Sequence, residues 1–252
     1  MDDLVKELNQ HSYNYYVLAM PTIADYEFDK KLEELSKLEH DHPELIDPNS
    51  PTLKVGGEIT KTFTTVKHKW PMLSLGNTYS EQDLREFDER IKKSIGERFE
   101  YVCELKFDGL SISLTYEDRK LVRAVTRGDG TKGDDVTANV KTIHTIPHKL
   151  HNDDTPPLFE IRGEIFMHRA AFERLNKERE ELGEVKYANP RNFAAGTVKM
   201  QDSREVAKRP LDCFLYSLNT EKKYFKTHWE SLQTLKSWGF HVSEHTQLAN
   251  DI

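Results

Sequence analysis

Cys103-Glu104-Leu105-Lys106-Phe107-Asp108-Gly109-Leu110-Ser111-Ile112-Ser113-Leu114-Thr115-Tyr116 is the stretch on which the fold turns. From Leu110 to Tyr116 apolar and polar residues alternate with a period of two, which predicts a strand with one buried face. The residues before it, about 99–106, predict another strand, with Lys106 at its end and the tight turn Phe107-Asp108-Gly109 after it. A lysine held on a rigid strand end suits covalent catalysis: its amine attacks an activated phosphorus and carries the nucleotide as a phosphoramide. The pattern Lys-x-Asp-Gly is short, and arises by chance in about five per cent of chains this long. Alone it equally describes a surface lysine beside a turn, so the surrounding sequence has to decide.

Outward from this point the elements are mixed. A strand over 120–127 follows, joined to the first by the turn Glu117-Asp118-Arg119-Lys120. Residues 158–167 alternate again, with Phe159, Ile161 and Ile165 facing one way and Glu160, Arg162 and Glu164 the other. Leu211 to Leu218 predicts a further strand. Helices are predicted from Glu81 to Ile95, capped by Ser80 and carrying Leu84, Phe87, Ile91 and Ile95 on one face; over 169–182, ending at Gly183; and from the capping box Thr227-His228-Trp229-Glu230 to Gly239. At the N-terminus two helices are expected. Leu4, Leu8 and Tyr15 mark the first. Phe28, Leu32, Leu35 and Leu38 stripe the second, with Thr22 as its cap and Pro21 between them. Pro43, Pro48, Pro51, Gly56 and Gly57 make 40–60 a linker. Antiparallel hairpins among helices indicate an α+β fold. A helical hairpin unit is expected over 1–60 and a unit of antiparallel sheets flanked by helices over 61–252.

Composition narrows the function classes. The chain has 252 residues, 37% hydrophobic and 31% charged, with a net charge of −7. No apolar run reaches the length of a membrane span, and Met1-Asp2-Asp3-Leu4 lacks a signal-peptide pattern, so a cytoplasmic protein with no membrane partner is expected. Cys103 and Cys213 are too few for a four-cysteine zinc site or a disulfide framework. The negative balance argues against strong nucleic-acid binding by the chain alone, and leaves room for a local basic groove.

Several motifs compete for a chemical role. A free lysine has a pKa near 10.4, so about one in a thousand is neutral near pH 7.4. A nucleophilic Lys106 therefore needs partial burial or a nearby positive charge, which Arg127 can supply. Period-two geometry puts Glu104 on the same face as Lys106, and Asp108 also if the strand continues. Gly128, Gly130 and Gly133 form a Gly-x-Gly-x-x-Gly after a strand, the fingerprint of a dinucleotide-binding turn. Its context fails, because the strand belongs to a hairpin and Asp134 and Asp135 would repel a pyrophosphate. His144, His148 and His151 suggest a metal cluster, but Pro147 breaks any helix that would align them.

Four further segments lie around the lysine motif: Pro71-Met72-Leu73-Ser74-Leu75-Gly76-Asn77, Thr126-Arg127-Gly128-Asp129-Gly130, Phe159-Glu160-Ile161-Arg162-Gly163-Glu164, and Ala188-Asn189-Pro190-Arg191-Asn192-Phe193-Ala194-Ala195-Gly196. In this order and spacing the chain closely resembles bacterial NAD-dependent DNA ligases over essentially its whole length. The resemblance implies an N-terminal helical unit that grips the nicotinamide mononucleotide half of NAD, followed by most of a nucleotidyltransferase domain. It implies that Lys106 becomes adenylylated, that Glu104 reads the adenine amino group, that Glu164 takes the ribose hydroxyls, and that Ser74 and Leu75 line the adenylate pocket. Asp108 belongs to the same pocket or shapes the turn, and Arg127 lies near the phosphates. In the helical unit it implicates Tyr15, Tyr16, Asp25, Tyr26, Glu27, Phe28 and Asp29, whose acidic and aromatic groups suit a cationic nicotinamide ring. Phe28 stands where the family has tyrosine, so one polar contact is lost.

Arg191 and Lys199 flank a small-residue turn and are expected to face the nucleic-acid backbone. Lys199 replaces an arginine and loses the bidentate fork. Magnesium is implied by the phosphate chemistry, with no ligands identified. Nicked double-stranded DNA is the substrate expected of the full enzyme, in replication and repair, and a monomer is expected. The chain is expected to end inside the nucleotidyltransferase domain, before later family motifs. Two alternatives stay open: an ATP- or GTP-dependent relative using the same lysine, and a non-catalytic NAD-binding module.

Overall fold

The computed structural model of the chain describes residues 1–16, 22–23, 25–47, 50–54, 63–96 and 98–252, without the side chains of residues 12, 13, 15, 16, 25, 26, 29, 53 and 54. Helices α1 (Asp2–Tyr16) and α2 (Asp25–Asp41) form an antiparallel-type hairpin whose small core is Val5, Leu8 and Leu35, with Leu4, Phe28 and Leu32 packed on it. Of the expected stripe on α2, Leu35 is buried and Phe28 and Leu32 are partly buried against the hairpin core, while Leu38 lies outside that cluster. Thr22 does not cap α2, which begins at Asp25. Its hydroxyl lies 3.0 Å from His11 Nδ1 and accepts from Asn14 Nδ2 at 3.2 Å, so it ties the connection back to α1. The expected linker 40–60 contains two single turns, Pro43–Leu45 and Pro51–Lys54. The second is fastened by Thr52, whose hydroxyl donates to buried Glu39 of α2. Pro21, Pro48, Gly56 and Gly57 lie outside the described residues.

The larger unit runs β1 (Thr65–Lys67), α3 (Glu81–Ile95), β2 (Tyr101–Cys103), β3 (Leu110–Glu117), β4 (Lys120–Thr126), β5 (Lys132–Asp134), α4 (Thr137–Val140), β6 (Leu158–Met167), α5 (Arg169–Glu181), α6 (Pro190–Val198), α7 (Ser203–Ala207), β7 (Leu211–Asn219), α8 (His228–Ser237) and β8 (Gln247–Ala249). The main sheet is antiparallel in the order β4-β3-β6-β7, and two short ladders join β1 to β5 and β2 to β8. The fold is α+β. The β3–β4 hairpin turns through Asp118 and Arg119 at φ 44° and 69°, the twin positive values a tight two-residue hairpin requires.

Strand alternation divides the sheet into two faces. One carries Ile112, Leu114, Tyr116, Phe159, Ile161, Ile165, Cys213 and Leu215, all fully or nearly fully buried. It shares one core with Phe193, Ala194 and Val198 of α6, Leu232 and Leu235 of α8, and Trp238 and Phe240 beyond it. Tyr116 stacks on Phe159 at 5.2 Å and donates its hydroxyl to Pro147 O at 2.6 Å. The opposite face pairs Ser111 with Glu164, Ser113 with Arg162 and Thr115 with Glu160. This polar face is not uniformly solvated: Glu160 is buried and accepts from Ser113 Oγ at 3.2 Å.

Three expectations about elements are corrected. The strand predicted over 99–106 stops at Cys103, because its partner β8 supplies no residue beyond Gln247 opposite Cys103. Residues 104–108 are therefore a loop, and the period-two argument for Glu104, Lys106 and Asp108 does not apply. The small-residue turn predicted after Asn189-Pro190 is helix α6: Asn189 caps it by accepting from Asn192 N, and Pro190 sits in its first turn, where a missing N–H costs nothing. Helix α3 has the predicted Ser80 cap, but Leu84, Phe87 and Ile95 stay exposed. The buried residue of α3 is Asp88, held by the Tyr101 hydroxyl at 2.8 Å and by Lys92. Desolvation first, and the Asp88 bond second, push the Tyr101 hydroxyl up to about 12.

Candidate active site

Lys106 sits in the loop between β2 and β3, and the residues that follow it are anchored to the sheet. Gly109 N–H donates to Glu164 Oε1 at 3.1 Å, and Ser111 Oγ donates to Glu164 Oε2 at 2.6 Å. One carboxylate on β6 thus holds the turn and the start of β3. A Cβ on Gly109 would lie 2.1 Å from Ile165 O, so only glycine allows the turn to press against β6. Between that turn and Lys106, the Phe107 ring packs on Phe166 at 5.5 Å and Phe214 at 4.4 Å. The backbone is fixed while the Lys106 side chain remains exposed. The partial burial expected for a nucleophilic lysine is absent here, because the loop carries it away from the sheet.

Around the loop stand other expected residues. Asp108 is exposed and lies 3.3 Å from Arg191 Nη1, on the first turn of α6. Glu104 receives a hydrogen bond from His228 Nε2 at 2.9 Å. Lys199, just past the other end of α6, lies 2.9 Å from Asp134 Oδ2. Both cations expected to face a nucleic-acid backbone are thus already paired with carboxylates.

Arg127 leaves β4 with its side chain exposed and its N–H bonded to Ser111 O at 3.1 Å. The glycine-rich turn after it makes no dinucleotide site, since it leads into β5 rather than a helix. Gly128 is at φ 56°, and Asp129 accepts from the N–H groups of Thr131 and Lys132. Those N–H bonds hold the Asp129 carboxyl below its usual range. The turn instead holds the segment of Ser74 and Leu75: Met72 N–H donates to Gly130 O at 2.8 Å, His68 N–H to Thr131 O at 2.9 Å, and Arg162 Nη2 to Trp70 O at 2.7 Å. Ser74 and Leu75 lie just beyond these anchors and are exposed.

In the helical hairpin, Tyr15 and Tyr16 end α1, and Asp25, Tyr26, Glu27, Phe28 and Asp29 open α2. The side chains of Tyr15, Tyr16, Asp25, Tyr26 and Asp29 lie outside the described residues. Glu27 is exposed, and Phe28 is partly buried against the hairpin core.

A family model described as the NAD-dependent DNA ligase adenylation domain matches residues 60–252, and one described as the DNA ligase-like, N-terminal NAD+-binding domain matches residues 1–56. The chain belongs to the NAD-dependent DNA ligase family. The DNA ligase of Flavobacterium psychrophilum is 54% identical over 253 residues, covering 100% of the chain and 38% of that ligase. Those of Phocaeicola vulgatus and Parabacteroides distasonis are each 56% identical, over 247 and 238 residues, covering 98% and 94% of the chain and 37% and 36% of the ligases. The chain spans little more than a third of the length of these ligases.

Within this ligase-family chain, sequence reasoning missed several residues of the polar sheet face. Tyr216 lies beside Glu164 and Ser111; burial foremost, then the Glu164 charge, pushes its hydroxyl up. Its signal was available, since it alternates with Leu215 on a predicted strand. His228 was read only as part of a capping box. Among the described residues no group of three or more His, Cys, Asp or Glu side chains converges as a metal site. His148 instead faces Lys141 O at 2.7 Å from Nε2. No helix among the described residues is long and apolar enough to cross a membrane.

Proposed function

We propose that this chain performs the adenylation step of an NAD-dependent DNA ligase. Lys106 Nζ attacks the adenylyl phosphorus of NAD. A P–N bond forms, the P–O bond to nicotinamide mononucleotide breaks, and the departing mononucleotide keeps the bridging oxygen while the amine proton leaves to solvent. Asymmetric anchoring of the loop carries this reading: on the C-terminal side of Lys106 two phenylalanines grip Phe107 and Glu164 grips Gly109 and Ser111, while the lysine side chain stays exposed. Such anchoring lowers the orientational cost of attack.

In this reading Glu104 accepts from the adenine amino group, Glu164 turns to the ribose hydroxyls, Tyr216 offers an aromatic face, and Ser74 and Leu75 border the base. Arg127 meets the phosphates, and Asp108 sets the turn with Arg191. The hairpin of residues 1–60, through Tyr15, Tyr16, Asp25, Tyr26, Glu27, Phe28 and Asp29, binds the nicotinamide mononucleotide half, while residues 61–252 hold the adenylate. Magnesium accompanies the NAD diphosphate and takes its ligands from phosphate oxygens and water. The whole ligase passes AMP to a 5′-phosphate at a nick in double-stranded DNA, in the bacterial cytosol, as a monomer, during replication and repair.

Donor choice tests the assignment. With NAD, ATP and GTP offered separately, transfer of a nucleotide to the chain is expected from NAD alone. Asp25→Ala or Tyr15→Ala should weaken NAD and nicotinamide mononucleotide binding by about 1.5–3 kcal/mol, the cost of a hydrogen bond to a charged group, and leave AMP binding nearly unchanged. Equal losses for NAD and AMP in calorimetry, or transfer from ATP, would contradict it.

A further inference from the structure

We infer that His228 is a positioning residue for Glu104, and that the pair, rather than Glu104 alone, selects a 6-aminopurine. The inference rests on the proposed role of Glu104 toward the base. Glu104 lies in the loop 104–108, where no strand ladder fixes its direction. A flexible carboxylate makes a poor reader, because each binding event must first order it. His228 supplies the missing constraint. Its Nε2 lies 2.9 Å from Glu104 Oε2, and since a carboxylate only accepts, the imidazole is the donor.

The donor itself is rigidly placed. His228 is the first residue of α8, and Thr227 caps that helix by accepting from Glu230 N at 3.1 Å. The backbone carbonyl of Thr227 also receives Ser231 N–H, and Ser231 Oγ donates to His228 O at 2.7 Å. The carboxylate therefore meets an imidazole whose backbone is held at the positive end of a ten-residue helix, where a negative charge is favoured. Oε2 is taken by the imidazole, which leaves Oε1 as the acceptor for a ligand N–H. An adenine amino group donates to that oxygen. The carbonyl of a hypoxanthine base presents a lone pair to it and is rejected.

The discriminating quantity is the ratio of AMP to IMP affinity, measured by calorimetry on the intact chain. General damage to the fold weakens both ligands and leaves this ratio unmoved. Wild type should prefer AMP by roughly ten-fold or more, the loss expected for a missed hydrogen bond to a charged group. Glu104→Ala should erase the preference. His228→Ala should shrink it about two- to five-fold, as befits a partly exposed pair. His228→Gln, whose amide N–H can reach the same oxygen, should restore most of it. If Glu104→Ala erases the preference while His228→Ala keeps the wild-type ratio, Glu104 reads the base unaided and the inference fails. A preference that survives Glu104→Ala, or no binding of either nucleotide by wild type, overturns the base-reading role itself and the inference with it.

Discussion

Glu164 makes two bonds where the Lys106 loop runs into β3, and one can be removed without the other. Ser111→Ala deletes one donor and leaves the carboxylate with Gly109 N–H, a loss of about 0.5–1.5 kcal/mol. Glu164→Ala strands both a backbone N–H and a hydroxyl, and is expected to cost about 1–3 kcal/mol. Urea denaturation of the two variants should rank them in that order. The rate of Lys106 modification should fall more in Glu164→Ala, because the turn that ends the loop loses both of its Glu164 bonds. Equal stability of Glu164→Ala and wild type would mean that the turn is held by the Phe107 packing alone.

At the scale of elements, the ends of β6 and β7 are tied through one buried carboxylate. Asp212 on β7 accepts from His168 Nε2 at 2.7 Å, just past β6, and lies 3.0 Å from His241 Nδ1, just past α8. Both imidazoles also pack on the aromatic rings that hold Phe107: His168 on Phe166 and His241 on Phe214. Burial pushes the Asp212 carboxyl up, but the bond and charge of His241 and the bond of His168 outweigh it and hold the group well below its usual range. A carboxyl depressed in the folded state contributes stability that is present above its unfolded value, near 3.9, and is lost as pH falls through the folded value. Asp212→Asn should therefore lower Tm at pH 7, and the gap to wild type should close as pH drops below about 4. Circular dichroism melts across that range check it; a gap that widens with acid has the wrong sign.

The elements also show what was legible in the sequence. Residues 110–116 and 158–167 were readable because alternation and burial coincide there, and the caps Ser80 and Thr227 because each carries its acceptor at the required spacing. Strands β1, β5 and β8 and the pairing of β2 were hidden, since three residues are too few to show a period. The lysine loop was misread as strand for the same reason. Its apolar residues Leu105 and Phe107 resemble a strand, yet Phe107 packs sideways on aromatic rings, and no residue opposite Leu105 extends the ladder. At the candidate site, the motifs and the family resemblance singled out Lys106, Asp108 and Glu164. Their contacts with Arg191 and Gly109 depend on tertiary proximity, which spacing does not encode.

Taken as a whole molecule, the chain bears a net charge of −7, and the two cations expected to meet DNA are paired with Asp108 and Asp134. They stand eight residues apart, in the first turn of α6 and just past its last residue, about 12 Å along the helix axis. DNA binding by this chain is therefore expected to be weak and to engage about two phosphates through this pair, giving a slope near −2 in a plot of log affinity against log salt. Arg191→Ala or Lys199→Ala should each flatten that slope by about 1. Fluorescence anisotropy with a nicked duplex at several salt concentrations measures it, and a much steeper slope would reveal a basic surface elsewhere.

The central claim is that the exposed amine of Lys106, one residue before the packed Phe107, is the nucleophile. Intact mass spectrometry after incubation with NAD and magnesium, followed by peptide mapping, tests it most directly. One AMP per chain, on Lys106, lost in Lys106→Ala and retained in Lys199→Ala, is the predicted result. No adduct on the wild-type chain, or an AMP that persists in Lys106→Ala and maps to another residue, would contradict it.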